Sequence, residues 1–383
     1  MSLPKIYFYC CPEEENLQED VIALAEGFNQ LGVPYFSNCD YWLRSVTPGD
    51  YLFKANPDVE ADDCDVVVVS YTWPRWVKMR TFKEMRRPLP PELFKHGRRY
   101  VTVYMDHHDG HRTVSWESEF RQFDLILRAK LNRRAWRPSN LRPWAYGLCN
   151  RILRATEGGL PFAQRQRAML VNYGASHPFI HGTRVAAATV FEPRIGSVLP
   201  IDRTTDDLSR VPAEPYDALM WRQTGGRYSS NYYRRLKSVQ SVACFCGALM
   251  PPMPYHQPDR LYWGGKKAEL RHAFYQLLGH FDPRPPRSMQ WDSFRFWETL
   301  AAGAVAFNLD LDHYGVDLPA MPGNGEHYVG VDLARPDEAV ALIRDDPGVL
   351  EQIARQGRAW AIEHYAPQAQ ARRFLALLSY QLT

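Results

Sequence analysis

The sequence predicts an α/β protein made of two parallel-sheet domains that face a cleft, and three observations support this prediction. Apolar, β-branched segments of strand length alternate with segments of helical periodicity along most of the chain. The run DVVVVSY at Asp65–Tyr71 is continuously apolar at its centre, which is typical of a parallel strand covered on both faces. The length of 383 residues corresponds to about two domains.

The first α/β series ends near residue 130. Leu17–Leu31 has helical apolar spacing and ends at Gly32, a residue type that commonly ends helices. Two further helices are predicted at Arg75–Met85 and Trp116–Phe123. Strands separated by helices imply right-handed βαβ units in an open parallel sheet. The predicted strands are Lys5–Cys10, Val33–Ser37, Asp65–Tyr71, Tyr100–Met105 and Asp124–Leu127.

An irregular stretch, Arg133–Gly159, separates this series from a second one. We therefore expect two Rossmann-like domains, residues 1–155 and 156–365, and a final helix at 366–383. Residues 250–289 are rich in Pro, Tyr and His and predict an insertion with one helix, Lys266–Leu278. Strands are predicted at Ala168–Tyr173, Ser241–Cys246 and Ala304–Asn308. Helices are predicted at Thr183–Phe191, Ala213–Arg222, Tyr228–Val239, Ser293–Ala302, Pro336–Arg344, Val349–His364 and Pro367–Leu382.

Composition excludes several classes of protein. Hydrophobic residues make up 45% and charged residues 23%, as in globular rather than disordered chains. The net charge of only +3 gives no bulk attraction to nucleic acid, so we expect no nucleic-acid partner. No apolar run approaches the roughly 18 residues of a membrane helix, and MSLPKIYFYC does not resemble a secretory signal. The seven cysteines are odd in number and contain no Cys-x-x-Cys pair, which predicts a reducing, cytoplasmic location without structural zinc.

Three common catalytic motifs are missing from the sequence. There is no G-x-G-x-x-G after the first strand, no G-x-x-x-x-G-K-[ST] and no G-x-S-x-G. The commonest oxidoreductase, nucleotide-hydrolase and esterase classes are therefore excluded.

The segment Gln290–Asn308, QWDSFRFWETLAAGAVAFN, carries the strongest functional signal. Asp292 or Ser293 can cap the start of a helix, whose free backbone N–H groups suit a phosphate. Arg295 and Glu298 are three residues apart and share one helix face. An anion-binding helix end, an arginine for phosphate and a glutamate for sugar hydroxyls describe a nucleotide-sugar pocket. The alternative is an amphipathic helix with one surface Arg–Glu pair.

SFRFWETLAAGAVAFN resembles the donor-binding signature of GT-B glycosyltransferases, nearest to the CgeB/exostosin-like branch, in which S-x-R-x-x-E-x-L-A-x-G precedes a strand. The later segments HYVGVDLARPDEAVALIRDD and VLEQIARQGRAWAIEHYAPQAQARRFLALL are similar to the closing pattern of those families. YVTVYMDHHDGHR and FDLILRAKLNRR match related bacterial proteins more loosely. Retaining families with a Glu-x7-Glu pair have a glutamate where this chain has Gln290, so the stereochemical outcome stays open.

The resemblance implies a division of labour between the domains. The C-terminal domain would hold the nucleotide-sugar, the N-terminal domain the acceptor, and the last helix would cross back to the N-terminal domain. The nucleotide-sugar would be a co-substrate, with no other cofactor and no metal required, because cationic side chains and helix N-termini stabilise the leaving diphosphate. For Arg235 and Lys237 the alternative is a solvated basic face, and for Arg184 it is a structural role. The expected donor-binding residues are Arg295, Glu298, Ser293, Arg235, Lys237, Tyr233, Ser238 and Arg184, with Tyr232 as a further candidate.

The second constellation is the loop Asp106–His111, DHHDGH, directly after a predicted strand. Because the carboxyl ends of parallel strands face the ligand crevice, this loop should face the other domain. An inverting transferase needs a general base for the acceptor hydroxyl, and we expect Asp109 or His108 in that role, with Asp106 orienting it. A divalent-metal site and a structural turn are the alternatives.

Two aspartate pairs match the Asp-x-Asp spelling with which GT-A transferases bind metal. Asp63 and Asp65 lead into a buried strand, and Asp310 and Asp312 follow one. The GT-B architecture gives no reason to assign metal to either pair, so we expect no metal ligands. Other candidate ligand contacts are Asp310, His313 and Tyr314 for the donor and Trp73, Trp76 and Trp263 for the acceptor.

The sequence therefore predicts a cytoplasmic GT-B glycosyltransferase that moves a sugar from a nucleotide-sugar donor to a glycan or other hydroxyl acceptor in bacterial glycan or glycoside biosynthesis. Two alternatives remain. One is a nucleotide-sugar epimerase, which needs no acceptor. The other is a catalytically inactive GT-B-like protein that binds a glycan or acts as a scaffold. The donor base and sugar, the acceptor and the oligomeric state stay open.

Overall fold

Two parallel sheets organise the computed structural model of the chain. It describes residues 3–11, 17–76, 85–109, 118–175, 181–252, 281–346 and 348–379, together with Leu270, Phe274 and Leu277. Within these ranges, the search for a helix with the length and apolarity of a membrane span finds none.

The N-terminal half contains a six-stranded sheet in which all neighbours are parallel. Val66–Ser70 and Val101–Asp106 are buried along their whole length, because alternate side chains pack into separate apolar clusters on the two faces. The helix Glu19–Leu31 packs on this sheet and ends at Gly32, whose φ is 68°. In spatial order the strands are Leu141–Pro143, Leu125–Arg128, Val101–Asp106, Val66–Ser70, Ile6–Tyr9 and Tyr35–Ser37.

The C-terminal half contains a five-stranded sheet, again parallel throughout. The strand order reverses between Gln166–Leu170 and Val239–Ala243. Ligands in open α/β sheets bind beyond the carboxyl ends of strands at such a switch point. In spatial order the strands are Ile201–Asp202, Gln166–Leu170, Val239–Ala243, Val305–Leu309 and Val329–Val331.

Helices cover both sheets and short elements connect them. The other α-helices whose bounds lie within the described residues are Asn150–Thr156, Gly182–Val190, Glu192–Ile195, Pro215–Gln223, Ser230–Leu236, Phe294–Ala301, Asp337–Asp345, Val349–Tyr365 and Pro367–Ser379. The 3-10 turns are Ala61–Asp63, Pro91–Phe94, Phe120–Gln122 and Phe162–Gln164. The antiparallel ribbons pair Tyr41–Leu43 with Tyr51–Phe53, Arg75–Trp76 with Met85–Arg87, Leu131–Asn132 with Val316–Asp317, and Ala248–Met250 with Arg287–Met289.

The prediction of a helix at Arg75–Met85 is wrong at both of its described ends. Arg75–Trp76 and Met85–Arg87 pair there as an antiparallel ribbon. The indole Nε1 of Trp73 donates to the carbonyl oxygen of Pro88 over 3.1 Å, so the chain returns to its starting point. An 11-residue helix would instead separate its ends by about 16 Å. Residues 77–84 lie outside the described residues.

Two other predicted helices are shorter or differ in type. Trp116–Phe123 contains the 3-10 turn Phe120–Gln122 in its described part, and the turn suffices to pack Phe120 against Tyr104, with ring centroids 4.7 Å apart. Tyr228–Val239 is a helix only at Ser230–Leu236, because Val239 already belongs to a strand. Of the helix predicted at Lys266–Leu278, the residues Leu270, Phe274 and Leu277 are helical, and the others lie outside the described residues.

The two halves are joined by the last helix, Pro367–Ser379, which packs on Glu19–Leu31. A Cβ atom at Gly27 would lie 2.1 Å from the carbonyl oxygen of Pro367, so only glycine permits this approach. The rings of Phe28 and Phe374 meet beside it, with centroids 5.6 Å apart. The end of the chain therefore stabilises the N-terminal half.

Burial of Glu26 on the helix Glu19–Leu31 predicts a pH-dependent stability. Burial raises the pKa of this carboxyl from 4.5 to about 8, although it accepts a hydrogen bond from the backbone N–H of Asn150. The folded state therefore binds the Glu26 proton more tightly than the unfolded state. The resulting stability is full below pH 4.5 and is lost as the pH rises to about 8.

We expect Glu26→Gln to remove this loss, because glutamine stays neutral and can accept the same hydrogen bond. The midpoint of thermal unfolding of the variant, minus that of the wild type, should rise between pH 5 and pH 8. Glu351→Gln, at an exposed position on Val349–Tyr365, is the control. A difference for Glu26→Gln that stays constant with pH would show that Glu26 does not titrate in this range.

Candidate functional site

The start of the helix Phe294–Ala301 opens into a cavity of about 450 Å³ between the two halves. Leu17 and Arg151 from the N-terminal half form part of its wall. Its other lining residues are Asn172, Thr205, Asp206, Leu208, Thr224, Arg227, Tyr232, Ser293, Phe294, Arg295 and Glu298. The volume lies in the range of small-molecule sites, and the wall combines three arginines with two carboxylates.

Local sequence explains why the helix begins and ends where it does. Ser293 precedes it in extended conformation, and its buried Oγ atom has no hydrogen-bond partner among the described residues. Phe296 and Leu300 are buried in the core and fix the orientation of the helix. Gly303, with φ of 66°, follows the last turn. The first backbone N–H groups of the helix, which have no partner within it, lie at the cavity.

Asp292 fastens the start of this helix to the N-terminal half. Its carboxylate accepts hydrogen bonds from the indole Nε1 of Trp297, at 2.6 Å, and from the backbone N–H of Tyr146, at 3.0 Å. Burial raises the pKa of Asp292 to about 6. Both carboxylate oxygens are engaged, so Asp292 contributes position rather than ligand contact.

Arg295 lines the cavity at the switch point of the C-terminal sheet. Its Nε donates to the side-chain oxygen of Asn172 over 3.1 Å, and its guanidinium lies 5.5 Å from the ring centre of Tyr173. Arg184 lies 5.0 Å from the same ring centre. Its guanidinium donates to the carbonyl oxygens of Phe245 and Gly174 and does not line the cavity. Of the predicted arginines Arg295, Arg235 and Arg184, Arg295 is therefore the one that lines the cavity.

Glu298 is nearly buried and accepts hydrogen bonds from two tyrosines. The hydroxyl of Tyr232 donates to its Oε2 over 3.1 Å, and the hydroxyl of Tyr233 donates to its Oε1 over 2.5 Å. Tyr232 lines the cavity, whereas Tyr233 lies behind Glu298. The predicted sugar contacts thus divide into one tyrosine in the wall and one that supports it.

Three further predicted donor-binding residues, besides Arg184 and Tyr233, do not line the cavity. Arg235 reaches it only through Asp206, with a distance of 3.0 Å between the Arg235 Nη2 and Asp206 Oδ1 atoms. The Nζ of Lys237 donates to the carbonyl oxygen of Glu157, and the hydroxyl of Ser238 donates to that of Arg235. This geometry gives no support to a direct phosphate contact by these three side chains. Of the residues on the helix Ser230–Leu236, Tyr232 lines the cavity.

The loop after Val101–Asp106 has a buried, charged base. Asp106 forms an ion pair with Arg128, and both side chains are almost fully buried. Asp106 also accepts a hydrogen bond from the backbone N–H of His108 over 3.3 Å. His108 is buried, and its Nε2 lies 3.0 Å from the hydroxyl of Tyr104. His111 lies outside the described residues.

Asp109 faces the C-terminal half, as the sequence predicts for this loop. The side-chain amide of Gln290 donates to its carboxylate over 3.1 Å, and the Nζ of Lys130 lies 3.7 Å from the same oxygen. Lys130 also donates to the hydroxyl of Tyr146 over 2.8 Å. The ring of Tyr146 is 4.4 Å from that of Phe294, centre to centre, and Phe294 lines the cavity. The two sequence-predicted constellations therefore meet at one interface.

Sequence reasoning missed several residues of the site. Lys130 was visible only as part of the basic segment FDLILRAKLNRR, and its φ of 60° is unusual for a residue that is not glycine. No local pattern marked Arg151, Asn172, Asp206 or Arg227, because they come from elements that are distant in sequence from Phe294–Ala301.

The Asp-x-Asp pairs lie elsewhere. Asp310 and His313 line a second cavity of about 500 Å³, and Asp312 forms an ion pair with Arg133. The backbone N–H of Lys5 donates to Asp65. Among the described residues, no group of three or more His, Cys, Asp or Glu side chains has the arrangement of a metal site.

The aromatic residues predicted to contact the donor or the acceptor are Tyr314, Trp73, Trp76 and Trp263. Tyr314 is buried, and its hydroxyl donates to Asp332 over 2.9 Å. Trp73 packs against Tyr9, with ring centroids 5.2 Å apart, and lines neither cavity. Trp263 and the side chain of Trp76 lie outside what the structure describes.

The fold is similar to that of an alpha-glucosyltransferase in several solved complexes. The complex with UDP and a 13-mer DNA containing an HMU base, at 2.8 Å resolution, aligns over 99% of this chain and 100% of that chain, with a TM-score of 0.53 and 10% identity. The complex with UDP-glucose and DNA containing an abasic site covers the same shares, with a TM-score of 0.51 and 9% identity. The complex with UDP covers 98% of this chain and 100% of that chain, with a TM-score of 0.51 and 8% identity. No family model and no curated protein matches the sequence.

At these identities the similarity shows the fold. The chain has the GT-B fold, with two parallel α/β halves and a cavity between them, as the sequence predicts.

Proposed function

We propose that the protein is a glycosyltransferase that transfers a sugar from a nucleotide-sugar donor to a hydroxyl acceptor. One observation carries the proposal: the start of the helix Phe294–Ala301 opens with Arg295 and Glu298 into the cavity between the halves. Free N–H groups and a guanidinium suit a diphosphate, while Glu298 and Asp206 can accept hydrogen bonds from hydroxyls. The alpha-glucosyltransferase of the same fold was solved with UDP and with UDP-glucose, which supports a nucleotide-sugar as the ligand.

The reaction exchanges one bond to the anomeric carbon for another. The acceptor oxygen bonds to that carbon as the bond from the carbon to the diphosphate oxygen breaks. The electron pair leaves with the nucleoside diphosphate, and we assign the acceptor proton to Asp109. Arg227 and Arg295 line the cavity and can stabilise the charge on the leaving group, so we propose that no metal is required and that transfer persists in a chelator.

Asp109 is the better candidate for the general base than His108. Its side chain is 37% exposed, whereas His108 is 4% exposed and its Nε2 already contacts the hydroxyl of Tyr104. A general base has to reach the acceptor hydroxyl, so exposure toward the interface favours Asp109.

We test the proposal by thermal unfolding of the wild type with UDP, GDP, dTDP, CMP and ADP. A nucleotide that binds only the folded state adds about 2.7 kcal/mol at a hundred times its Kd. We expect one of them to raise the unfolding temperature of the wild type and to have no effect on Arg295→Ala. Arg358→Ala is the matched control, because Arg358 is an exposed arginine whose Nε donates to Ala301 at the opposite end of the same helix.

The outcomes separate the competing functions. If no nucleotide at millimolar concentration changes unfolding, the inactive scaffold is favoured over the transferase. If a nucleotide binds and the corresponding nucleotide-sugar is converted to an isomer without any acceptor, the protein is an epimerase. Product analysis with glycan acceptors, and with the HMU-containing 13-mer found in one neighbouring structure, then tests transfer.

The finer sequence-based expectations stay predictions. These are the CgeB/exostosin-like branch, supported by SFRFWETLAAGAVAFN, the role in bacterial biosynthesis, the cytoplasmic location and the absence of a nucleic-acid partner.

A further inference from the structure

A chain of four polar side chains crosses from the N-terminal half to Glu298. The Nη2 of Arg151 donates to Glu19 over 2.5 Å, and its Nη1 donates to the hydroxyl of Tyr233 over 2.7 Å. Tyr233 in turn donates to Glu298 over 2.5 Å. Glu19 and Arg151 lie on the helices Glu19–Leu31 and Asn150–Thr156, whereas Tyr233 and Glu298 belong to the C-terminal half.

The chemistry of these groups determines which one donates and which one accepts in each of these hydrogen bonds. A guanidinium has no acceptor, so the Tyr233 oxygen must accept from Arg151. The one hydrogen of the Tyr233 hydroxyl is then committed to Glu298. Tyr232 donates to the other carboxylate oxygen, which holds Glu298 as an acceptor in one orientation. Replacing any of these side chains therefore changes the hydrogen bonds that the neighbouring side chain can form.

Burial strengthens the hydrogen bonds between these four side chains. The side chains of Glu19 and Arg151 are 4% and 5% exposed, and that of Glu298 is 9% exposed. Hydrogen bonds and charges interact more strongly where water is excluded, and chains of them reinforce one another. Arg151 also lines the cavity, where its Nη1 lies 3.9 Å from Glu298.

We propose that Arg151 is a positioning residue for the donor: held by Glu19, it acts through Tyr233 to orient the Glu298 carboxylate toward the hydroxyls of a nucleotide-sugar. Residues of the N-terminal half thereby contribute to nucleotide affinity. The family resemblance implied only acceptor binding for that half. This inference rests on the proposed function, which places the nucleotide in this cavity.

The test is a double-mutant cycle on nucleotide affinity, measured by calorimetric titration of the folded variants with UDP, or with whichever nucleotide stabilises the wild type. Tyr233→Phe should weaken binding about 10-fold, because Glu298 loses one of its two orienting donors. Glu19→Gln should weaken it about 3-fold to 10-fold. The double variant should bind no more weakly than Tyr233→Phe alone, since both changes break the same chain.

Tyr228→Phe is the matched control. The ring of Tyr228 lies 5.4 Å from that of Tyr233, but its hydroxyl donates to Asp217 rather than to Glu298. We expect this variant to bind with unchanged affinity. If Tyr233→Phe does not fold, Arg151→Lys takes its place in the cycle, because lysine keeps the charge without the two-pronged contact.

Two results overturn the inference while leaving the proposed function intact. One is unchanged affinity in Tyr233→Phe and Glu19→Gln with only a lower unfolding temperature, which would mean a structural role. The other is additive losses in the double variant. If the wild type binds no nucleotide, or Arg295→Ala does not weaken binding, the proposed function itself fails and the inference fails with it.

Discussion

Asp109→Asn is expected to lower the rate of sugar transfer by about 10²-fold to 10⁴-fold, which is the usual contribution of a general base. The amide cannot take the acceptor proton, but it keeps the size of the carboxylate and can still accept from Gln290. Nucleotide affinity should stay within about 2-fold of the wild type, because Asp109 is not among the residues that line the cavity. The measurement is kcat with saturating donor, alongside the Kd of the nucleotide.

Asp312→Asn serves as the control for this variant. Asp312 also belongs to the interface, but its side chain is 72% exposed and pairs with Arg133 away from the first cavity. We expect its kcat to match that of the wild type. A variant Asp109→Asn that keeps full turnover would transfer the role of base to His108 or to a group outside the described residues.

Asp106→Asn is expected to lower the free energy of unfolding by about 3–5 kcal/mol, which is typical when one partner of a buried ion pair is removed. The Arg128 guanidinium is 2% exposed and would lose the carboxylate with which it forms this ion pair. The side-chain oxygen of asparagine can still accept the hydrogen bond from the backbone N–H of His108, so the expected loss is that of the ion pair. Denaturant unfolding with linear extrapolation measures the change.

Asp312→Asn is the control for the effect of burial on the ion pair. That substitution also removes the carboxylate of an Arg–Asp ion pair, but Arg133 is exposed to water, so the cost should be about 0–1 kcal/mol. Equal losses in both variants would show that burial does not determine the strength of the Asp106 pair.

Much of the fold was predictable because it depends on local patterns. The run Val66–Ser70 is apolar on both faces, and only a central parallel strand buries such a segment completely. The helix Phe294–Ala301 was recognisable from its cap position, its apolar face and the glycine that ends it. These signals lie within a few residues of one another, so the chain needs no distant partner to reveal them.

The helix predicted at Arg75–Met85 shows where local patterns fail. Contacts between Trp73 and Pro88, 15 residues apart, return the chain on itself and override the helical periodicity at the described ends. The basic residues Arg235 and Lys237 show a similar limit. Their charge was visible in the sequence, but the direction of Lys237 depends on a carbonyl group of residue 157.

Local sequence patterns were sufficient to predict the two α/β series, the helix with Arg295 and Glu298, and the acidic loop at the end of Val101–Asp106. Each is encoded by neighbouring residues through periodicity, capping and side-chain type. Two contacts become visible only in the folded chain: Gln290 contacts Asp109, 181 residues away, and Arg151 contacts Tyr233, 82 residues away. Such contacts arise where two separately folded halves pack together, and no pattern within either segment specifies which side chain of the other half it will meet.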